Sequence, residues 1–402
     1  MFVLVSRLDP YDMVDSGEYD SAARHLLAGQ GFIAGLDKTF IRPPAYSLLV
    51  AVSYALGGVG VLAAIQIVLS AATAVLVGVV ARYLRPGPLV APVAGLVAAF
   101  YPWTFAYVGG LASETLFTFL WVAATVLLLR AAGASGGRAA AAAGAVFGLA
   151  GLTRSNLLVL GPGLALWFLW RARSPIRPFL YGLAVLAVVL PFTAYQLAQG
   201  NGLMLGSNGG GMSFYIGNNP GQTALYADRL GSADWLKSTF INAEGEAFLD
   251  CPGLRCLDTM PMAERDGFFY RAGLRYIATA PLDALVTDLR KVFHYWRPWA
   301  EPRIYSPAIV AATGASVSVV IVLAVLGLRR MTRQSAAFVL TIVTLGTLTV
   351  ALWHVQLRYR IALVDPLLLA AAGIPLADWL ARSRARPIAA ARQFMLGAGT
   401  AI

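Results

Sequence analysis

An all-α polytopic membrane protein is the fold class this sequence predicts, and three observations carry the prediction. Of 402 residues, 58% are apolar and only 13% are charged, and the mean hydropathy is +0.68. A soluble domain carries roughly 45–50% apolar and about 25% charged residues. Apolar runs recur along most of the chain, and the arginines between them fall almost entirely on alternate connections. Such a chain holds more apolar surface than a soluble core buries, so lipid must be part of its solvent. A cytosolic globular enzyme, a disordered chain and a disulfide-stapled miniprotein are excluded. The net charge of +11 reports topology rather than a nucleic-acid partner, because cytoplasmic loops collect Lys and Arg. Two cysteines and three histidines leave little material for a zinc site.

The elements follow in order. Residues 1–43 are polar and form a first loop. Region 44–198 is the N-terminal membrane region. It opens with PAYSLLVAVSYALG (44–57), too short to span and read as an interfacial or re-entrant helix. Spans are expected near 60–82, 90–108, 114–130, 139–153, 156–170 and 178–198. The Ala/Gly-rich stretch 131–151 reads as a closely packed helix with its preceding turn, since small residues let membrane helices approach. A polar segment, 199–305, is much longer than an ordinary connection. Region 306–402 adds spans near 306–328, 336–353 and 361–381 and a basic tail. The opening MFVLVSRL reads either as the end of a truncated first helix or as a short N-terminus. The total is therefore about 9–10 transmembrane helices.

Charge sets the orientation. With 1–43 outside, the inward loops and tail hold fourteen arginines between Arg82 and Arg392, whereas the short outward loops hold three: Arg154, Arg358 and Arg360. Segments 1–43 and 199–305 are then extracytoplasmic. Nineteen of twenty carboxylates fall outside or at outer span ends, and Asp378 alone lies near the inside.

Three constellations could carry chemistry on that outer side. Asp15-Ser-Gly-Glu18-Tyr19-Asp20 precedes an apolar-periodic stretch. Asp15 there is either a helix cap or a carboxylate positioned as general base or metal ligand. Glu114, after Ser113, sits at the outer start of a span. It is either an interfacial residue favoured by the helix dipole or a functional carboxylate at the lipid boundary. Arg154, His354, Arg358 and Arg360, with Tyr359 between the last two, oppose the charge rule. An anion must compensate them: Asp365, Glu114, lipid headgroups or a phosphate-bearing substrate, which Arg suits through bidentate geometry. Arg42 joins this set, just before Pro43-Pro44.

The outer segment adds weaker signals. SNGGGMSFYIGNNPG (207–221) could present backbone N–H groups to an anion, but it lacks a phosphate-loop pattern and reads better as a turn. Cys251 and Cys256 are expected to bridge locally if their Cα atoms approach within about 7 Å. PLDALVTDLRKVFHYWR (281–297) is amphipathic and reads as a helix lying on the membrane interface.

Several phrases, in order, resemble one family: DSGEYDSAARHLLAGQGF, IRPPAYSLL, YPW…LASETLF, GLAGLTR, YIGNNPG and LRYRIALVDPLLL. Over about 12–382 the chain resembles the GT-C glycosyltransferases, in the branch containing protein O-mannosyltransferases and bacterial aminoarabinose lipid A transferases. The resemblance implies a GT-C-like helix bundle in the plasma membrane. It also implies a polyprenyl-phosphate sugar donor, an extracytoplasmic acceptor and an outward active site. Asp15 matches the acidic residue of the first outer loop, the implied base, and Glu114 matches the second acidic position. Tyr19 and Arg42 match that loop's aromatic residue and the basic residue before its proline pair. Arg358 and Tyr359 match the RYR element. Arg154, His354 and Arg360 complete the expected substrate-binding set. A divalent cation such as Mg or Mn is an open expectation with no assigned ligands. Ala362 and Ser47 stand where the family commonly has proline, and Glu18 where the aminoarabinose branch has a basic residue. A transporter or lipid flippase, or an inactive lipid-binding scaffold, are the competing classes. Transporters place their ionisable groups at the midplane, whereas these charges gather at span ends.

Overall fold

The protein was analysed as a computed structural model, which describes residues 15–32, 42–105, 107–133, 136–207, 209–220, 243–251, 255–300, 302 and 306–398. The opening MFVLVSRL, residues 221–242 of the outer segment and Asn208 and Gly221 of the glycine-rich stretch lie outside them. Every regular element among the described residues is a helix.

Helix α1 (Ser16–Leu27) leads to α2 (Pro44–Leu56), which starts on Pro44 and ends where Gly57 and Gly58 take positive φ. Helix α3 (Val59–Leu84) is the first long apolar helix, followed by α4 (Val90–Ala99). The span expected over 90–108 is broken after Ala99, and Pro102–Phe105 form a 3₁₀ turn. Pro102 has no N–H to continue the helix and disfavours helical backbone in Tyr101. Helix α5 (Glu114–Ala132) and α6 (Gly136–Gly151) come next. The span expected over 156–170 divides into a 3₁₀ turn, Ser155–Leu160, and α7 (Gly161–Ala172), with Pro162 in the first turn of α7. Helix α8 (Ile176–Ala198) ends the N-terminal helices.

The polar segment folds into α9 (Gly210–Gly217), α10 (Ala243–Leu249), α11 (Cys256–Thr259), α12 (Met262–Thr279) and α13 (Pro281–Trp296). Two expectations change or resolve here. The glycine-rich stretch is helical rather than a turn. Asp266 Oδ1 accepts the Gly211 N–H at 2.6 Å, and a Cβ on Gly217 would meet the Trp353 carbonyl at 2.4 Å. The cysteines are bridged, with Cα atoms 5.5 Å apart. As expected, α13 is two-faced: Leu282, Leu285, Val286, Leu289 and Phe293 are exposed, while Ala284, Thr287, Lys291 and Tyr295 are buried.

Helices α14 (Pro307–Leu328), α15 (Arg333–Leu352), α16 (Leu357–Leu363) and α17 (Asp365–Ala398) complete the chain. Among the described residues, five helices are long and apolar enough to cross a membrane: α3, α5, α8, α14 and α15. The pair α16 and α17, bent by 55°, makes a sixth if it counts as one span. The remaining expected spans are the shorter helices α4, α6 and α7. The all-helical multi-pass membrane class stands.

Packing explains which helices sit centrally. Leu367, Ala370, Ala371, Ala372 and Ile374 bury α17 among α3, α4 and α14. Glycine permits the close approaches: a Cβ on Gly327 of α14 would lie 2.0 Å from the Ala371 carbonyl oxygen, and one on Gly144 of α6 would lie 2.1 Å from that of Tyr181 on α8. Small residues serve membrane helices this way because lipid provides no hydrophobic drive between them. By contrast α8 exposes Phe179, Leu183, Leu186 and Leu190, and α14 exposes Val319, Val322 and Val325, the faces that lipid would solvate. Asp378, the one carboxylate expected on the inner side, pairs with Arg85 after α3 and with Arg330 after α14.

Candidate functional site

Five chain segments meet at helix ends: the start of α1, the Arg42-Pro43-Pro44 corner, the start of α5, the turn after α6 and the short helix α16. Each brings charge. Pro43 is extended and Pro44 opens α2, so the backbone at Arg42 is set by the proline pair. Glu114 is the first residue of α5, where a carboxylate meets the positive end of the helix dipole. Arg154 is in extended conformation just before the 3₁₀ turn that interrupts the helical path from α6 to α7. The break before α17 has a local cause in Pro366, and the Leu363 carbonyl accepts the Trp121 indole N–H at 2.8 Å.

The side chains close into one network. Asp15 makes no side-chain cap bond to α1, so the capping alternative does not describe its side chain. Its Oδ1 lies 2.7 Å from Arg42 Nη2 and its Oδ2 accepts from Arg358 Nη1 at 2.8 Å. Arg42 also donates through Nε to Glu18 Oε2 at 2.9 Å. Glu114, 2% exposed, accepts from Arg154 Nη1 at 2.8 Å and lies 3.4 Å from Arg358 Nη1. Arg154 donates to Ser113 Oγ as well, at 3.1 Å. Tyr359 lies beneath two of the cations, with the Arg154 and Arg358 guanidinium carbons 5.1 and 5.9 Å from its ring centre. Its hydroxyl meets His354 Nε2 at 2.8 Å. Tyr19 is buried edge-on against Tyr46, ring centres 4.7 Å apart.

The electrostatics follow from this pairing. Burial alone would raise the Asp15 carboxyl, but Arg358, then Arg42 and Arg154, outweigh it and hold it well below the usual carboxylate range. Burial, with Asp15 nearby, pushes the Tyr19 hydroxyl up to about 12. Burial and then Arg358 push His354 down to about 3, so it is neutral near pH 7.

The structure thus brings together Asp15, Tyr19, Arg42, Glu114, Arg154, Arg358 and Tyr359, with His354 behind Tyr359. Arg360 goes elsewhere. It is fully buried, donating to Asp365 Oδ1 at 3.0 Å and to the carbonyls of Tyr295 and Arg297 at 3.0 and 2.8 Å. Asp365 in turn accepts the Tyr101 hydroxyl at 2.5 Å. Arg360 ties the bend before α17 to the end of α13 and makes no contact with the carboxylates of the network.

Two participants escape a sequence reading. Glu18, set aside as a departure from the family, is the second partner of Arg42. Gln66, 1% exposed on α3, accepts from the Tyr46 hydroxyl at 3.0 Å and donates to the Val108 and Gly110 carbonyls at 2.9 and 3.0 Å. It thereby holds the approach to Ser113-Glu114. A lone amide in an apolar span was the available signal.

Beside Glu114, a cavity of about 50 Å³ is lined by Ser70, Thr73, Tyr101, Trp103, Thr104 and Thr118, among others. That volume holds water but is well below the roughly 150 Å³ of a cavity that accepts benzene, so no sugar ring fits it as it stands. The described residues present no site for a divalent cation. No group of three or more His, Cys, Asp or Glu among the described residues is placed to hold one, and the oxygens of Asp15 and Glu114 face guanidinium groups.

Residues 41–195 match the model of the family described as dolichyl-phosphate-mannose-protein mannosyltransferase. The match lies within the region that carries IRPPAYSLL, LASETLF and GLAGLTR, and the resemblance to GT-C glycosyltransferases is borne out there. Two solved structures are similar to the chain. ArnT from Cupriavidus metallidurans bound to undecaprenyl phosphate shares 15% identity, over 92% of this chain and 76% of that one, with a TM-score of 0.39. The same protein in the apo state shares 15% identity over 93% and 76%, with a TM-score of 0.40. No curated protein matches the chain.

Proposed function

We propose that this protein is a membrane glycosyltransferase that moves a sugar from a polyprenyl-phosphate donor to an extracytoplasmic acceptor hydroxyl, with inversion at the anomeric carbon. The family match over 41–195 supports the glycosyltransferase class, and the family's own description names a dolichyl-phosphate-linked sugar. The observation that carries the finer reading is the convergence of Arg42, Arg154 and Arg358 with Asp15 and Glu114 at helix ends. A lipid-linked donor keeps its chain in the bilayer and its phosphate at this level, where guanidinium groups suit it. The fourteen-to-three arginine bias supports placing that end outside.

The residues divide the work as follows. Arg42, Arg154 and Arg358 hold the phosphate oxygens. Asp15 takes the acceptor's proton as its oxygen bonds to the anomeric carbon. The bond from that carbon to the phosphate oxygen breaks, and its electron pair leaves on the polyprenyl phosphate, stabilised by the same arginines. Tyr359 and neutral His354 support the cations from behind, and Glu114 orients Arg154 and Arg358.

Sugar transfer from radiolabelled polyprenyl-phosphate sugars, measured in detergent and normalised to folded protein, tests this. Asp15→Asn should lose roughly 10²–10⁴ in rate, while Asp20→Asn, whose carboxylate meets Arg24 and the Tyr54 hydroxyl rather than Arg42, Arg154 or Arg358, should leave transfer unchanged. Full activity in Asp15→Asn refutes the assignment of the base. Because Glu18 pairs with Arg42, Glu18→Gln is no silent control.

A further inference from the structure

In this network each guanidinium proposed to hold phosphate already carries a carboxylate. Arg42 lies 2.7 Å from Asp15 and 2.9 Å from Glu18; Arg358 lies 2.8 Å from Asp15; Arg154 lies 2.8 Å from Glu114. Three cations face three anions, so the cluster is closed in charge. Arg358 has its Nε on Gln356 as well, and Arg154 shares Nη1 between Ser113 and Glu114. A phosphate entering here meets the carboxylates as rivals for the same N–H donors. Asp15 in turn is a poor base while it is held by these cations, because Arg358, Arg42 and Arg154 all favour its ionised form.

We propose that the donor phosphate and Asp15 compete for Arg42 and Arg358, so that donor binding itself loosens Asp15 from its ion pairs and makes it a competent base. This rests on reading the cluster as the donor site. The device would keep the carboxylate inert until a donor is present. It would also coordinate binding with activation without a separate lid. Linkage gives the idea a measurable form. If phosphate raises the proton affinity of Asp15 by some factor, neutralising Asp15 must raise phosphate affinity by the same factor. The groups that face Asp15 are Arg42 from the proline corner, Arg358 from α16, Arg154 from the turn after α6, and Tyr19 on its own helix.

The test is equilibrium binding of a polyprenyl monophosphate to the full-length protein in detergent. Asp15→Asn should bind it at least roughly tenfold more tightly than the parent, the low end of the effect of a neighbouring opposite charge, although its transfer activity is lost. Glu114→Gln should also tighten binding, through Arg154 and Arg358, which keeps the test open if Asp15→Asn folds poorly. Arg358→Gln should weaken it. Unchanged or weaker binding in both carboxylate variants, with parent binding that Arg358→Gln weakens, overturns the competition and leaves the donor site standing. A parent protein that binds no polyprenyl monophosphate overturns the donor site itself.

Discussion

Arg358 is the side chain on which the network turns, and replacing it with Gln separates its structural role from its chemical one. Its Nη1 lies 2.8 Å from Asp15 and 3.4 Å from Glu114, and the side chain is 16% exposed. Two unit charges about 4 Å apart attract by about 4 kcal/mol at an effective dielectric of 20. Breaking a buried pair by removing one partner typically costs about 3–5 kcal/mol, since a charge is left uncompensated. Here Asp15 keeps Arg42 and Glu114 keeps Arg154. The loss for Arg358→Gln should therefore fall at the low end, about 3 kcal/mol. Asp15→Asn removes the stranded charge, so the double variant should be more stable than the sum of the two single losses by about 1–3 kcal/mol.

The assay is thermal or denaturant unfolding of the four proteins in one detergent, paired with the transfer assay. Stability should be partly restored in the double variant, and transfer should not, because both the proposed phosphate ligand and the proposed base are gone. Strictly additive stabilities would refute the claim that Arg358 and Asp15 are energetically coupled. Recovery of transfer in the double variant would refute the catalytic assignment instead.

Two further outcomes follow. His354 is held at about 3, against an ordinary value near 6.5, by burial and Arg358. Its contribution to stability is fully present above pH 6.5 and is lost as pH falls from there toward 3, because the unfolded chain takes up the proton first. The unfolding midpoint should drop across that window and should drop less in His354→Gln; an identical pH dependence in the variant would contradict the environment described. For topology, cysteines placed singly at Thr279 and Ser383 in a background lacking Cys251 and Cys256 should behave differently toward an impermeant reagent on intact cells. Thr279→Cys should label and Ser383→Cys should not, and the reverse would overturn the outward orientation.

Most of the helices could be read from apolar runs, because lipid-facing and core-facing positions are alike hydrophobic and the runs end at Gly, Pro or Arg. The two broken spans have one cause. The stretch Tyr101-Pro-Trp-Thr-Phe stays apolar, so hydropathy carries a span through it, while Pro102 stops helix α4 at Ala99. The same holds for α7, where the path after Arg154 tightens into a 3₁₀ turn before Pro162. Hydropathy weighs transfer to lipid and is indifferent to backbone N–H groups; the helix is not.

The site divides along a similar line. That Arg154, Arg358 and Arg360 needed anionic partners followed from their position against the charge rule, and the partners are Glu114, Asp15 and Asp365. Asp15 read equally as a cap or as a functional carboxylate, because local pattern cannot reveal a partner 343 residues away. Other signals were local and available. Asp15 and Glu18 are three apart at a helix start, so they can share a face, and one arginine, Arg42, joins them. Arg358 and Arg360 are two apart in a short helix, a separation of about 200°, so they cannot both face one ligand. That geometry assigns Arg358 to the carboxylates and Arg360 to the bend. It also shows how the chain carries both cations: Arg360 is paired with Asp365 and donates to two carbonyls, a structural task, which leaves Arg358 as the one whose partners the proposed donor would exchange.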